Sequence, residues 1–118
     1  QDIEADDEQL RHGAGYDHCF VLNKREEGEL TLAARVKEPV SGRTMAVYTT
    51  EPGVQLYTDN WADGYEGQLG ATFPRRSAIC LECQHFPDSP NQPYFPSVVL
   101  NPGEEYNQKT IYQFGVEK

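Results

Sequence analysis

The sequence predicts an all-β domain of mostly antiparallel strands, and two observations predict it. Apolar and polar residues alternate over short runs, and Gly and Pro punctuate the gaps between those runs. No segment sustains a 3.6-residue period beyond a short helical turn near Asp6 to Arg11.

The elements follow in chain order. Gln1 to Gln9 carries five carboxylates and reads as a solvated lead-in, partly disordered, extending over residues 1–14. Residues 15–118 contain no internal repeat and read as one β domain. His18 to Asn23 is the first candidate strand. Leu30, Leu32, Ala34 and Val36 then share one strand face, with Thr31, Arg35 and Lys37 opposite. Met45, Val47 and Thr49 alternate with Thr44, Ala46 and Tyr48 in the next strand. The connection Glu38 to Gly42 supplies Pro, Ser and Gly where a hairpin needs them, so the two strands pair antiparallel. Gly53 to Thr58, Ala78 to Gln84, Ser97 to Leu100 and Glu105 to Val116 complete the set. The last of these puts Tyr106, Thr110, Tyr112, Phe114 and Val116 on one face. Two longer loops, Asn60 to Arg76 and His85 to Pro96, are rich in aromatic and Asn residues and are expected to be ordered.

Composition narrows the function. A chain of 118 residues can form one hydrophobic core. Its net charge of -9 argues against nucleic acid and anionic membranes as partners, because both are held by clustered Lys and Arg. A neutral or cationic ligand suits it better. No apolar run approaches the length of a membrane span. Three cysteines, Cys19, Cys80 and Cys83, are too few and odd in number for a disulfide framework, which points to a reducing compartment. No signal-peptide pattern opens the chain. It begins at Gln1 rather than Met, as expected if a segment has been removed or if these residues belong to a longer polypeptide.

Three stretches hold residues with chemical potential. In Ala78 to Gln84, alternation puts Cys80, Glu82 and Gln84 on one face, so Glu82 is expected at the edge of a buried face. A carboxylate there must be hydrogen-bonded, paired or protonated, and such groups concentrate at functional sites. Cys80 and Cys83 have the C-x-x-C spacing of zinc and redox sites. A strand points them to opposite faces, however, and no second paired motif exists, so no metal is expected and the thiols read as small packing groups. Asp17-His18 precedes an apolar run: Asp17 either caps a turn through a backbone amide or accepts ligand hydroxyls, with His18 orienting it. Gln55 and Tyr57 share a strand face after Pro52-Gly53. Gln55 offers both donor and acceptor to a polyol, while Tyr57 and Trp61 either stack on a sugar or pack in the core.

The stretches GYDHCFVLN (15–23), VYTTEPGVQLYTDNW (47–61), CLECQHFPDSPNQPYFPSVVLNPGEEY (80–106) and IYQFGV (111–116) together resemble the C-terminal portion of aldose 1-epimerases, the galactose mutarotases. The resemblance covers nearly the whole chain from about residue 13. It implies a galactose-mutarotase-like β-supersandwich and an isomerase that interconverts the α and β anomers of galactose or glucose without metal or organic cofactor. It further implies a cytoplasmic location, with periplasmic or secreted alternatives.

By the same resemblance Glu82, in the E-x-Q-x-x-P-D stretch, is the general base. Asp17 of the D-H motif and Gln55 of P-G-V-Q bind sugar hydroxyls. The family's general acid is a histidine in an upstream Asn-His-x-x-Phe-Asn-type motif, absent here, and His12, His18 and His85 do not sit in such a motif. The expected partners are therefore an aldose and the N-terminal half of the same protein. The isolated residues are expected to lack activity and to self-associate through exposed strand edges and apolar surface. A non-catalytic carbohydrate-binding or regulatory module of the same fold is the alternative reading.

Overall fold

A computed structural model describes residues 2–117 and is mostly antiparallel β. The chain divides into two compact units, each built from two stretches of sequence. The first comprises residues up to Phe20 together with Gln55–Glu82; the second comprises Val21–Val54 together with residues from Cys83 onward.

The expected helical turn is present as α1 (Glu8–Gly13). Asp7 caps it, its carboxylate accepting from the N–H groups of Gln9 (2.8 Å) and Leu10 (3.1 Å), donors that the first turn leaves unpaired. Ala14 ends the helix in the left-handed region, with its N–H turned back to the Arg11 carbonyl. Of the acidic lead-in, Gln1 lies outside the described residues; Glu4 pairs with Arg76 at 2.6 Å.

Strands β1 (Asp17–Val21), β2 (Thr31–Lys37), β3 (Arg43–Thr49) and β4 (Gly53–Tyr57) follow, then the short pair β5 (Tyr65–Glu66) and β6 (Thr72–Phe73), then β7 (Cys80–Gln84) and β8 (Thr110–Val116). They form sheets of order β1-β4-β7 and β2-β3-β8, with β5-β6 as a two-stranded ribbon.

In the second unit the β2–β3 hairpin forms as the sequence predicts. Its turn is stabilised by the Glu38 carboxylate, which accepts from the N–H groups of Val40 (2.7 Å) and Ser41 (2.6 Å), while Gly42 takes the positive φ of 73° that the turn requires. β3 is central, so its inward residues are the most enclosed, and Val47 and Thr49 have no exposed surface.

Three predicted strand features differ. The β2–β3 register shifts between Leu32 and Ala34, a bulge that breaks the two-residue alternation and leaves Leu32 exposed. Ser97 to Leu100 is irregular: Pro96 and Pro102 flank it, and the Val99 N–H bonds locally to the Ser97 hydroxyl (3.2 Å) instead of joining a ladder. β8 begins only at Thr110, because its partner β3 ends at Thr49, opposite Thr110. Just ahead of it, Lys109 and Thr50 bind each other, Thr50 N–H to Lys109 O at 3.0 Å and Lys109 N–H to Thr50 Oγ1 at 2.9 Å.

Both long loops are structured. The first holds β5 and β6, and the second is drawn tight by Asp88, whose carboxylate accepts from the side chains of Asn91 (2.5 Å) and Gln92 (2.7 Å). Among the described residues no helix is long and apolar enough to cross a membrane.

Candidate active site

The three residues singled out for chemistry lie on the three strands of one sheet: Asp17 opens β1, Gln55 centres β4 and Glu82 centres β7. β1 and β4 run antiparallel, since the Thr58 N–H reaches the Tyr16 carbonyl (3.1 Å) while the Leu22 N–H reaches the Pro52 carbonyl (2.9 Å).

Asp17 and Gln55 meet directly. The Gln55 amide, Nε2, donates to Asp17 Oδ1 at 2.7 Å. Of the two roles open to the aspartate, turn-capping is not taken, since its side chain bonds to Gln55 and not to a backbone amide; it stands exposed with acceptor capacity to spare. Gln55 Oε1 is buried and has no protein partner, so the acceptors that the pair offers to hydroxyl donors are those of the exposed Asp17 carboxylate. His18 orients Asp17 through the backbone: its Nδ1 accepts from the Asp17 N–H at 2.9 Å, and its ring packs edge-on against Tyr16, with centroids 5.8 Å apart.

Glu82 departs from expectation. It is exposed rather than at the margin of a buried face, and its carboxylate bonds to no described side chain. The cause is topological. β7 is an edge of its sheet, flanked by β4 alone, so one side of Glu82 has no ladder neighbour. No hydrogen bond joins Glu82 to Asp17 or Gln55, although its strand adjoins the one carrying Gln55. Trp61 is 65% exposed and does not enter the core; its backbone N–H donates to the Tyr57 hydroxyl at 3.3 Å. Burial pushes the Cys19 thiol up from its ordinary value, and all three cysteines are unpaired. Among the described residues no group of three or more His, Cys, Asp or Glu side chains is arranged to hold a metal ion.

Two polar residues that shape these surroundings escape a reading of the sequence. Asn60, 2% exposed, donates through Nδ2 to the carbonyls of Gly13 and Tyr16 (both 2.8 Å) and accepts from the Thr58 hydroxyl (2.7 Å). It ties the end of α1 to the residue before Asp17, and it fills the space that a Cβ on Gly15 would need. In the second unit Glu51 is 4% exposed, accepting a hydrogen bond from Tyr106 Oη at 2.7 Å and lying 2.7 Å from His85 Nδ1. The only advance signal for either is a carboxylate or amide directly beside an apolar strand, which turns also produce.

Comparison with known proteins agrees with the motifs. The family model described as aldose 1-epimerase matches residues 1–113. The chain is 51% identical to mouse galactose mutarotase over 106 residues, which is 89% of this chain and 30% of that protein. It is 49% identical to human galactose mutarotase, with the same two shares, and 38% identical to Escherichia coli aldose 1-epimerase over 96% of this chain and 33% of that protein. The chain thus spans about 30% of the length of the mammalian relatives it matches. A match across so much of the chain, on the stretches that contain Asp17, Gln55 and Glu82, establishes that the chain belongs to the aldose 1-epimerase family.

Proposed function

We propose that the whole protein is an aldose 1-epimerase acting on galactose or glucose, and that these residues supply its general base and part of its sugar site. The observation that carries the reading is the Asp17–Gln55 pair, held at 2.7 Å in the same three-stranded sheet as Glu82, in a chain of this family.

In this reading Glu82 takes the proton from the anomeric hydroxyl while an acid protonates the ring oxygen. The bond between the anomeric carbon and the ring oxygen breaks, leaving an open-chain aldehyde. Rotation about the bond between the first two carbons presents the other carbonyl face. The ring hydroxyl then adds to that face, its proton returns to the acid, and Glu82 gives its own proton to the new anomeric oxygen. Nothing is oxidised or reduced, so the cycle needs no cofactor. Asp17 and Gln55 hold sugar hydroxyls and fix the ring against Glu82. The acid is a histidine outside these 118 residues, in the N-terminal half of the protein. Three unpaired cysteines support a cytoplasmic location.

Polarimetry on freshly dissolved α-galactose tests the reading: the full-length protein accelerates the decay of rotation, and a rate equal to buffer alone would sink it. Residues 1–118 by themselves leave the buffer rate unchanged, because the base lacks its acid. They also self-associate, since β8 is a sheet edge whose Phe114 and Val116 are exposed, and light scattering reads that directly.

A further inference from the structure

Glu51 is an expensive residue to bury. A carboxylate removed from water costs several kcal/mol unless neighbours compensate it, and Glu51 is 4% exposed. It lies between β3 and β4, and three features compensate it. Its N–H donates to the Thr49 hydroxyl at 3.1 Å, and Thr49 is itself fully enclosed. Its Oε1 accepts the Tyr106 hydroxyl at 2.7 Å, a bond that raises the Tyr106 phenol above its ordinary value by favouring the protonated form. Lys24 Nζ, bonded to the Thr49 carbonyl at 2.8 Å, adds a cation close by.

The other oxygen has a different task. Oε2 lies 2.7 Å from Nδ1 of His85, an ion-pair distance without the alignment of a full hydrogen bond. His85 is the residue immediately after β7, and Glu51 stands two residues before β4. This contact sets the residue that follows β7 beside the segment that leads into β4. This matters because β7 is a sheet edge paired only with β4, and a one-residue slip in a strand turns every side chain to the opposite face. Glu82 is three residues from His85 on that strand.

We propose that Glu51 and His85 are positioning residues that pin the register of β7, so that Glu82 presents its carboxylate on the face where it accepts the anomeric proton. The catalytic half of this inference rests on the function proposed above; the pin itself does not.

The full-length protein tests both halves through two variants, H85A and H85N, the asparagine restoring an amide nitrogen near the position of Nδ1. H85A lowers kcat by about tenfold, with KM changed by less than about twofold, and H85N recovers most of the loss, as displacement of a base predicts. A structural defect would instead lower active-enzyme concentration without rescue by the conservative variant. Hydrogen exchange provides the second readout: amides of Leu81 to Gln84 exchange about tenfold faster in H85A, while β2, β3 and β8 keep wild-type protection. Unchanged exchange in β7 overturns the pin. Faster exchange with unchanged kcat overturns its role in positioning Glu82. If the wild-type protein lacks mutarotase activity, the proposed function and the positioning role fall together, and the exchange data still decide the pin.

Discussion

The Gln55 amide donates to the Asp17 carboxylate at 2.7 Å, joining residues 38 positions apart across two neighbouring strands. The bond fixes both rotamers before any ligand arrives. It also occupies a Gln55 donor and leaves that residue's carbonyl oxygen without a protein partner. That oxygen is buried, so what remains to meet a sugar is the acceptor capacity of the exposed Asp17 carboxylate, which complements hydroxyl groups donating their protons.

Truncating one member of this pair is expected to weaken substrate binding more than turnover. In the full-length enzyme D17A raises KM by about tenfold to a hundredfold, the worth of a hydrogen bond to a charged group. Q55A raises it as well, because Asp17 loses the partner that orients it. Polarimetric initial rates over a range of galactose concentrations separate the two constants. An unchanged KM in both variants would remove the pair from the sugar site.

Replacing Glu82 tests the base. E82Q preserves size and removes proton-accepting ability, so turnover falls by about a hundredfold to ten-thousandfold, the usual contribution of a general base. Sugar affinity measured by calorimetry stays near wild type. Because the side chain is exposed and makes no bond to a described side chain, thermal stability is also expected to stay within about 0.5 kcal/mol of wild type. Retained turnover would assign the proton transfer to another group, and absence of turnover in the wild type would favour a binding module.

Much of this architecture is readable from alternation and punctuation, and the failures have identifiable causes. The β2–β3 hairpin follows from two alternating runs around a Pro-Ser-Gly turn, whereas the bulge after Leu32 leaves no mark in a run of apolar residues. Ser97 to Leu100 looks like a strand because its side chains are apolar, but a strand also needs a neighbour with free backbone groups, and that depends on the rest of the fold. The chemical residues were legible by a different route. Motif resemblance singled out Asp17, Gln55 and Glu82, and strand order then brought them into one sheet. The burial of Glu51 was hidden because its partners, His85 and Tyr106, are 34 and 55 residues away. Locally, Glu51 is an acid before a Pro-Gly turn and looks solvated. Asn60 was hidden in the same way inside a turn-like Asp-Asn pair.

Asn60 should be costly to lose. Its side chain donates to the carbonyls of Gly13 and Tyr16, in the stretch that leads into Asp17, and accepts from the Thr58 hydroxyl just past β4. N60A takes the side-chain donor from the Gly13 carbonyl and one bond each from the Tyr16 carbonyl and the Thr58 hydroxyl, which keep their bonds to each other, and destabilises by about 1–3 kcal/mol. Chemical denaturation measures the loss. N60D is expected to be as damaging, since it supplies an acceptor where two carbonyls need a donor. A change below about 0.5 kcal/mol in N60A would show that water replaces the amide without cost.

Acid should loosen the molecule at four identifiable places. The Arg76 guanidinium holds Glu4 below its ordinary value of 4.5, and hydrogen bonds from Ser41, including its hydroxyl, do the same for Glu38. Bonds from the side chains of Asn91 and Gln92 lower Asp88, and the backbone and side chain of Asn101 lower Glu104. A carboxyl group whose folded value lies below its unfolded value releases its proton more readily in the folded state. Its stabilising contribution is fully present above the unfolded value and is lost as pH falls through the folded one. Stability from these groups is therefore flat with pH above 4.5 and declines below it. The same protonation frees the Asn91 and Gln92 side-chain amides, so their NMR signals shift as Asp88 titrates, at a pH below its ordinary 3.8. Titration of Asp88 at or above that value would mean that these amides do not hold the loop in solution.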